Sequence, residues 1–200
     1  MFAALKTPLL VSSAVLVLAN LVPLIGALAG YWSSYELMLL FWAENLVIGL
    51  FQILRMASVL FLRRSLAMLG LIPFFAVHYS IFTGIHGSFL THMLGHGADL
   101  ADAARLLLSW DGMLWGLLAL FASHGLSFAL NFLGEGEWRT VEDKALMTQP
   151  YGRVVLLHLV IIFGGIIAIV TQDATPALAL LVVAKVVMDL RAHLAGHRST

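Results

Sequence analysis

One stretch of this chain, from Met68 to Met93, constrains the fold more than any other. It reads MLGLIPFFAVHYSIFTGIHGSFLTHM, and it is long and apolar enough to cross a bilayer, which takes a helix of about 20 residues. The stretch nevertheless contains His78 and His86. Because an ionisable side chain is costly in hydrocarbon, such residues usually face other helices or a water-filled cavity. The stretch therefore predicts a bundle of membrane-spanning helices with a polar interior.

The composition agrees with an integral membrane protein. Of the 200 residues, 61% are hydrophobic and 11% are charged, whereas about 25% of the residues of a typical soluble domain are charged. The formal net charge is zero and cysteine is absent. These features argue against nucleic acid as a partner, and they exclude disulfides, thiolate metal sites and a cysteine nucleophile. The lipid bilayer is the expected partner, and the oligomeric state is left open.

The apolar runs predict an all-α, polytopic membrane protein with six transmembrane helices in one bundle. Residues 1–200 are predicted to form a single domain, because neither a linker nor an internal repeat interrupts the pattern. The predicted spans cover residues 8–30, 35–62, 68–91, 111–133, 154–170 and 177–193. Lys and Arg are concentrated at both ends of the chain and in two loops, which predicts that both termini are cytoplasmic. The loop of residues 134–152 is the most polar stretch, and it is predicted to be a solvated, salt-bridged connection.

The buried polar residues fall into two predicted layers when each is given a depth from the helical rise of about 1.5 Å per residue. The outer layer consists of Glu44, Asn45 and His86. The inner layer consists of His124, His158 and Asp189. His78 is predicted to lie between the layers, while the sixth span adds Lys185 near its middle and His193 at its inner edge.

A metal centre is the leading prediction for these residues, with His124 and His158 as its core ligands. Histidine nitrogens and carboxylate oxygens bind transition metals, and three protein ligands with one open position are typical of catalytic zinc. The third ligand would come from Asp189, His193 or His78. Zinc or iron is the expected ion, and haem held by two of the histidines is the variant.

Two further residues are predicted to act on a substrate at such a centre. Glu44 would be the acid or base, and Lys185 would balance charge or polarise the substrate, with His86 and Asn45 in the outer layer. An apolar or lipid-borne small molecule is the expected substrate class, and whether the protein is an enzyme is left open.

Two other functions fit the same residues. A proton-coupled or small-solute transporter would use Glu44, Lys185 and Asp189 as titrating or pairing groups. A structural polar network without catalysis would use the histidines only to join helices by hydrogen bonds.

The chain resembles an uncharacterised family of bacterial multipass membrane proteins, known only as a domain of unknown function. The segments that carry the resemblance are FWAENLVIG, FFAVHYSIFTGIHGSFL, SHGLSFALNF, PYGRVVLLH and KVVMDLRAH. Where the family pattern has HYG, this chain has His78, Tyr79 and Ser80. The resemblance implies a location in the bacterial inner membrane, a WAEN motif in the second span and intramembrane histidines. It implies no activity.

Overall fold

The computed structural model describes residues 33–110 and 113–171, which are helical with no strand among them. The helices are α1 (Ser34–Leu62), α2 (Met68–Leu94), α3 (Leu100–Leu107), α4 (Leu114–Ser127), α5 (Asp143–Thr148) and α6 (Tyr151–Thr171). A π-helical segment, Phe128–Gly134, continues α4, and a 3-10 turn follows at Glu137–Arg139. The predicted all-α class is therefore confirmed for this part of the chain.

Three helices are long and apolar enough to cross a membrane. They are Tyr35–Leu62, Met68–Leu94 and Leu114–Gly134, and their ends lie within three residues of the predicted second, third and fourth spans. The helix α6 contains the predicted fifth span. The predicted first and sixth spans, with Lys185, Asp189 and His193, lie outside the described residues. The six-span topology and the cytoplasmic termini therefore stay predictions.

The helix α1 is the central element. It begins with a capping box, in which the Ser33 hydroxyl accepts from the Glu36 N–H at 3.2 Å and the Glu36 carboxylate accepts from the Ser33 N–H at 2.7 Å. In α1, 72% of the most apolar stretch is buried, whereas only 22% of the corresponding stretch is buried in each of the other two candidate spans. A helix that is apolar all round is expected at such a position, and α1 contacts α2, α4 and α5.

The seam between α1 and α2 is an antiparallel contact fixed by two side-chain hydrogen bonds. The Trp42 indole N–H donates to the Thr83 carbonyl at 2.8 Å, and the Tyr79 hydroxyl donates to the Asn45 carbonyl at 3.0 Å. Glycines lie opposite these rings. A Cβ at Gly87 would lie 2.5 Å from the Trp42 ring, so the close approach of the two helices requires glycine there.

We expect Gly49→Ala and Gly87→Ala each to lower the free energy of unfolding by about 1–3 kcal/mol, the usual cost of overpacking a core. A Cβ at Gly49 would lie 2.6 Å from the Tyr79 ring, whereas a Cβ at Gly84 would meet nothing within 4 Å. Gly84→Ala is the matched control, and it should be neutral or slightly stabilising because alanine is the better helix former by about 1 kcal/mol. Thermal unfolding in detergent measures all three. Equal losses in the three variants would contradict this packing.

The loop of residues 134–152 differs from its prediction, because it folds back onto α1. The Arg63 guanidinium forms an ion pair with Asp143 and donates to the Val141 carbonyl at 2.5 Å. Leu146 is 1% exposed, and its carbonyl accepts from the Gln52 amide at 2.5 Å. The charged side chains of the loop are exposed except that of Asp143, which is half-buried beside Arg63. The loop is therefore solvated on its charged side, and it differs from the prediction in burying apolar side chains such as Leu146.

Candidate functional site

The seam between α2 and α6 brings histidines together. The two helices run parallel, because two residues of α2 contact two residues of α6 in the same order. His78 Nδ1 lies 2.7 Å from the Tyr151 hydroxyl, and His86 Nε2 is in hydrogen-bond contact with His158 Nδ1. The centroids of the His86 and His158 rings are 4.5 Å apart. Eight residues separate the two histidines of α2, so the two contacts are about 12 Å apart along the seam.

Aromatic rings alternate with the two histidines along α2. Phe74, His78, Phe82 and His86 recur at every fourth residue, a spacing that places them on one side of a helix. The successive ring centroids are 5.4, 4.9 and 6.3 Å apart. Each imidazole is therefore packed against phenyl rings of its own helix and meets a polar partner only across the seam with α6.

A second polar pair joins α1 to α4. The Glu44 Oε1 atom lies 3.5 Å from His124 Nε2, and the two side chains are 5% and 15% exposed. The His124 Nε2 atom makes no hydrogen bond within the described part of the chain, so the contact with Glu44 is electrostatic at this distance. The Phe51 ring stacks near the imidazole, with centroids 6.4 Å apart. The pair therefore joins a buried carboxylate to an imidazole that can carry the opposite charge.

The position of Glu44 along the bundle follows from the two interhelical hydrogen bonds of the α1–α2 seam. On α1 the bonded residues are Trp42 and Asn45, which flank Glu44 in the sequence. On α2 they are Thr83 and Tyr79, which lie between His78 and His86. The pair that Glu44 forms is therefore intermediate in height between the two contacts of α2 with α6, about 4 Å from the level of His78 and about 8 Å from that of His86.

The contacts differ from the two predicted layers. His86, assigned to the outer layer, contacts His158, assigned to the inner layer, and Glu44 likewise contacts His124. The reason is that the loop before α6 folds into the bundle, so that α6 begins level with His78 rather than nearer the predicted cytoplasmic surface.

Asn45 belongs to the seam between α1 and α2. Its side-chain amide donates to the Phe41 carbonyl at 3.0 Å within α1, and its own carbonyl accepts from Tyr79. These contacts support the α1–α2 seam beside Glu44.

The predicted metal ligands do not converge among the residues that the structure describes. His124 contacts Glu44 and His158 contacts His86. Within residues 33–110 and 113–171, no group of three or more His, Asp or Glu side chains is arranged to hold a metal ion. Asp189 and His193 lie outside these ranges, so the metal centre stays a prediction.

Tyr151 is the functional candidate that the sequence analysis missed. It precedes the predicted fifth span, yet it belongs to α6 and contacts His78. The available signal was spacing: Tyr151 and His158 are seven residues apart on one helix, and His78 and His86 are eight apart on another. Matching spacings of this kind indicate two polar contacts along one pair of parallel helices.

Among the comparisons with known proteins, only the one with family models gives a match. No curated protein and no solved structure matches the chain. A sequence model of a family of unknown function, DUF6498, matches residues 3–200. Since this match covers nearly the whole sequence, the chain belongs to the family of unknown function DUF6498.

Proposed function

We propose that this protein conducts protons through the membrane. The observation that carries the proposal is the contact between His86 Nε2 and His158 Nδ1 across the seam between two apolar helices. A neutral imidazole has one donor and one acceptor nitrogen, so two rings in contact hold one proton between them. With a pKa near 6.5 for a free side chain, histidine takes up and releases protons near neutral pH.

The proton balance at this pair is simple. A proton arriving at His86 Nδ1 makes that ring an imidazolium, which passes its Nε2 proton to His158 Nδ1. His158 then releases a proton from its own Nε2 atom. One proton enters and one leaves, and both rings have exchanged tautomers. Reorientation of each ring then points its N–H in the original direction, with Nδ1 and Nε2 having changed roles.

The Glu44–His124 pair supports the same function. The pair has no net charge whether its one proton is on the Glu44 carboxylate or on the His124 ring. Such a pair therefore holds a proton inside the bundle without leaving an uncompensated buried charge, which would cost several kcal/mol. The level of this pair along the bundle, between the two contacts of α2 with α6, is suitable for an intermediate proton-binding site.

Voltage-driven proton uptake tests the proposal. The purified protein is reconstituted into liposomes that contain a pH-sensitive dye, and a potassium gradient with valinomycin sets the membrane potential. We expect faster acidification than in empty liposomes. His92→Ala, which changes an exposed histidine of α2, should retain the wild-type rate. Uptake equal to that of empty liposomes, over the pH range from 5 to 8 in which histidine titrates, would refute proton conduction.

Metal binding is the second candidate, because the converging nitrogens of His86 and His158 are also a suitable pair of transition-metal ligands. A third ligand would come from the part of the chain that the structure leaves undescribed, where Asp189 and His193 were predicted. Elemental analysis and an absorption spectrum after gentle purification separate the candidates. Stoichiometric zinc, iron or haem that is lost in both His86→Ala and His158→Ala would favour the metal centre over proton conduction.

A further inference from the structure

Arg55 is a charged residue inside a helix that can span the membrane. It lies on α1, seven residues before the helix ends at Leu62, which is about 10 Å along the axis. Its side chain is half-buried, and its guanidinium carbon lies 5.4 Å from the centroid of the Phe132 ring. A charge at such a position is costly unless it is paired, so its partner is of functional interest.

The guanidinium of Arg55 has no hydrogen-bond acceptor among residues 33–110 and 113–171, although it carries five N–H donors. Its Nε atom is sealed from solvent and unpaired within these ranges. The Glu137 carboxylate attracts it through space but accepts no hydrogen bond from it. The contact with the Phe132 ring partly stabilises the positive charge of the guanidinium, but it gives the N–H donors no acceptor.

The surroundings of Arg55 come from three elements. Gln52 lies one turn earlier on α1, and its amide holds the Leu146 carbonyl of α5 at 2.5 Å. Phe132 belongs to the π-helical segment, an irregularity that is frequent at functional sites. The guanidinium therefore lies between α1, the π-helical segment and the loop that folds back, at the end of the bundle where α1 ends.

We propose that Arg55 binds an anionic oxygen group, a carboxylate or a phosphate, of a ligand that enters at this end of the bundle. The planar guanidinium donates two parallel hydrogen bonds to such a group, and the Phe132 ring supports the guanidinium plane. The inference does not rest on proton conduction by the histidines. A soluble anion and a lipid headgroup offer the same chemistry.

Ligand-dependent thermal unfolding of the full chain in neutral detergent tests the proposal. The probes are sodium phosphate, sodium benzoate and phosphatidylglycerol in mixed micelles, with sodium chloride and phosphatidylcholine as blanks at equal ionic strength. A ligand that binds the folded state raises the melting temperature in a saturable manner. We expect at least one probe to do so and the blanks not to. Arg55→Gln should weaken the apparent affinity at least about tenfold, a loss of about 1.4 kcal/mol.

Arg64→Gln is the matched control, because Arg64 is exposed just beyond the end of α1, and it should keep the full shift. Arg55→Lys keeps the charge but lacks the planar fork, so an intermediate affinity is expected, and this variant decides the matter if Arg55→Gln fails to fold. Shifts with phosphate or benzoate identify a soluble anion, and a shift with phosphatidylglycerol alone identifies a lipid headgroup. No saturable shift with any probe, or equal affinities in wild type and the Arg55 variants, would overturn the proposal.

Discussion

His86→Ala and His158→Ala are each expected to reduce proton uptake to the level of empty liposomes. Either change removes one ring of the hydrogen-bonded contact between α2 and α6, so the remaining ring loses the imidazole to which it would pass the proton or from which it would receive it. The double variant should lose no more than each single variant, because residues that act as one unit are strongly non-additive. Uptake in reconstituted liposomes measures all three against His92→Ala.

The pattern of loss tests the contact itself. If each single variant kept part of the uptake and the two losses multiplied in the double variant, the rings would act independently. Such a result would contradict a shared proton. A fold control is needed because His86 is 4% exposed, and an unsatisfied buried partner costs about 1–3 kcal/mol. Thermal unfolding of each variant shows whether any loss of uptake comes from instability.

Glu44→Gln is expected to slow proton uptake at least about tenfold, a change in barrier of about 1.4 kcal/mol. Glutamine has nearly the shape of glutamate but cannot take up or release a proton beside His124 Nε2, which lies 3.5 Å from the Glu44 carboxylate. The matched control is Glu135→Gln, which changes an exposed carboxylate beyond the π-helical segment and should retain the wild-type rate. Equal rates in the two variants would remove the Glu44–His124 pair from the proton path.

The positions of the helices were predictable because membrane-spanning helices have a simple signature. The stretch from Met68 to Met93 predicts α2 almost to the residue, since about 20 apolar residues suffice to cross a bilayer. The partners of its histidines were not predictable in the same way. A depth inferred from span edges assumes that the loops lie outside the bundle, and the burial of Leu146 against α1 shows that part of residues 134–152 does not. That loop moves the start of α6, and with it His158.

The candidate site was predictable as a set of residues rather than as a geometry. The cost of burying Glu44 and His86 in hydrocarbon identifies them from sequence alone. The same reasoning applies to Arg55, whose significance depends on the position of Phe132. That position follows from the π-helical segment, and a π-helix has no clear sequence signature.

The alternation of phenyl and imidazole rings along α2 has a consequence for ion selectivity. A sodium or potassium ion must replace its hydration shell with oxygen ligands in order to pass a protein, and the rings of Phe74 and Phe82 offer no lone pair for that purpose. A proton needs no such shell, because it moves by exchange between ring nitrogens. On the proton proposal, this seam would therefore reject dehydrated alkali cations through the chemistry of its lining.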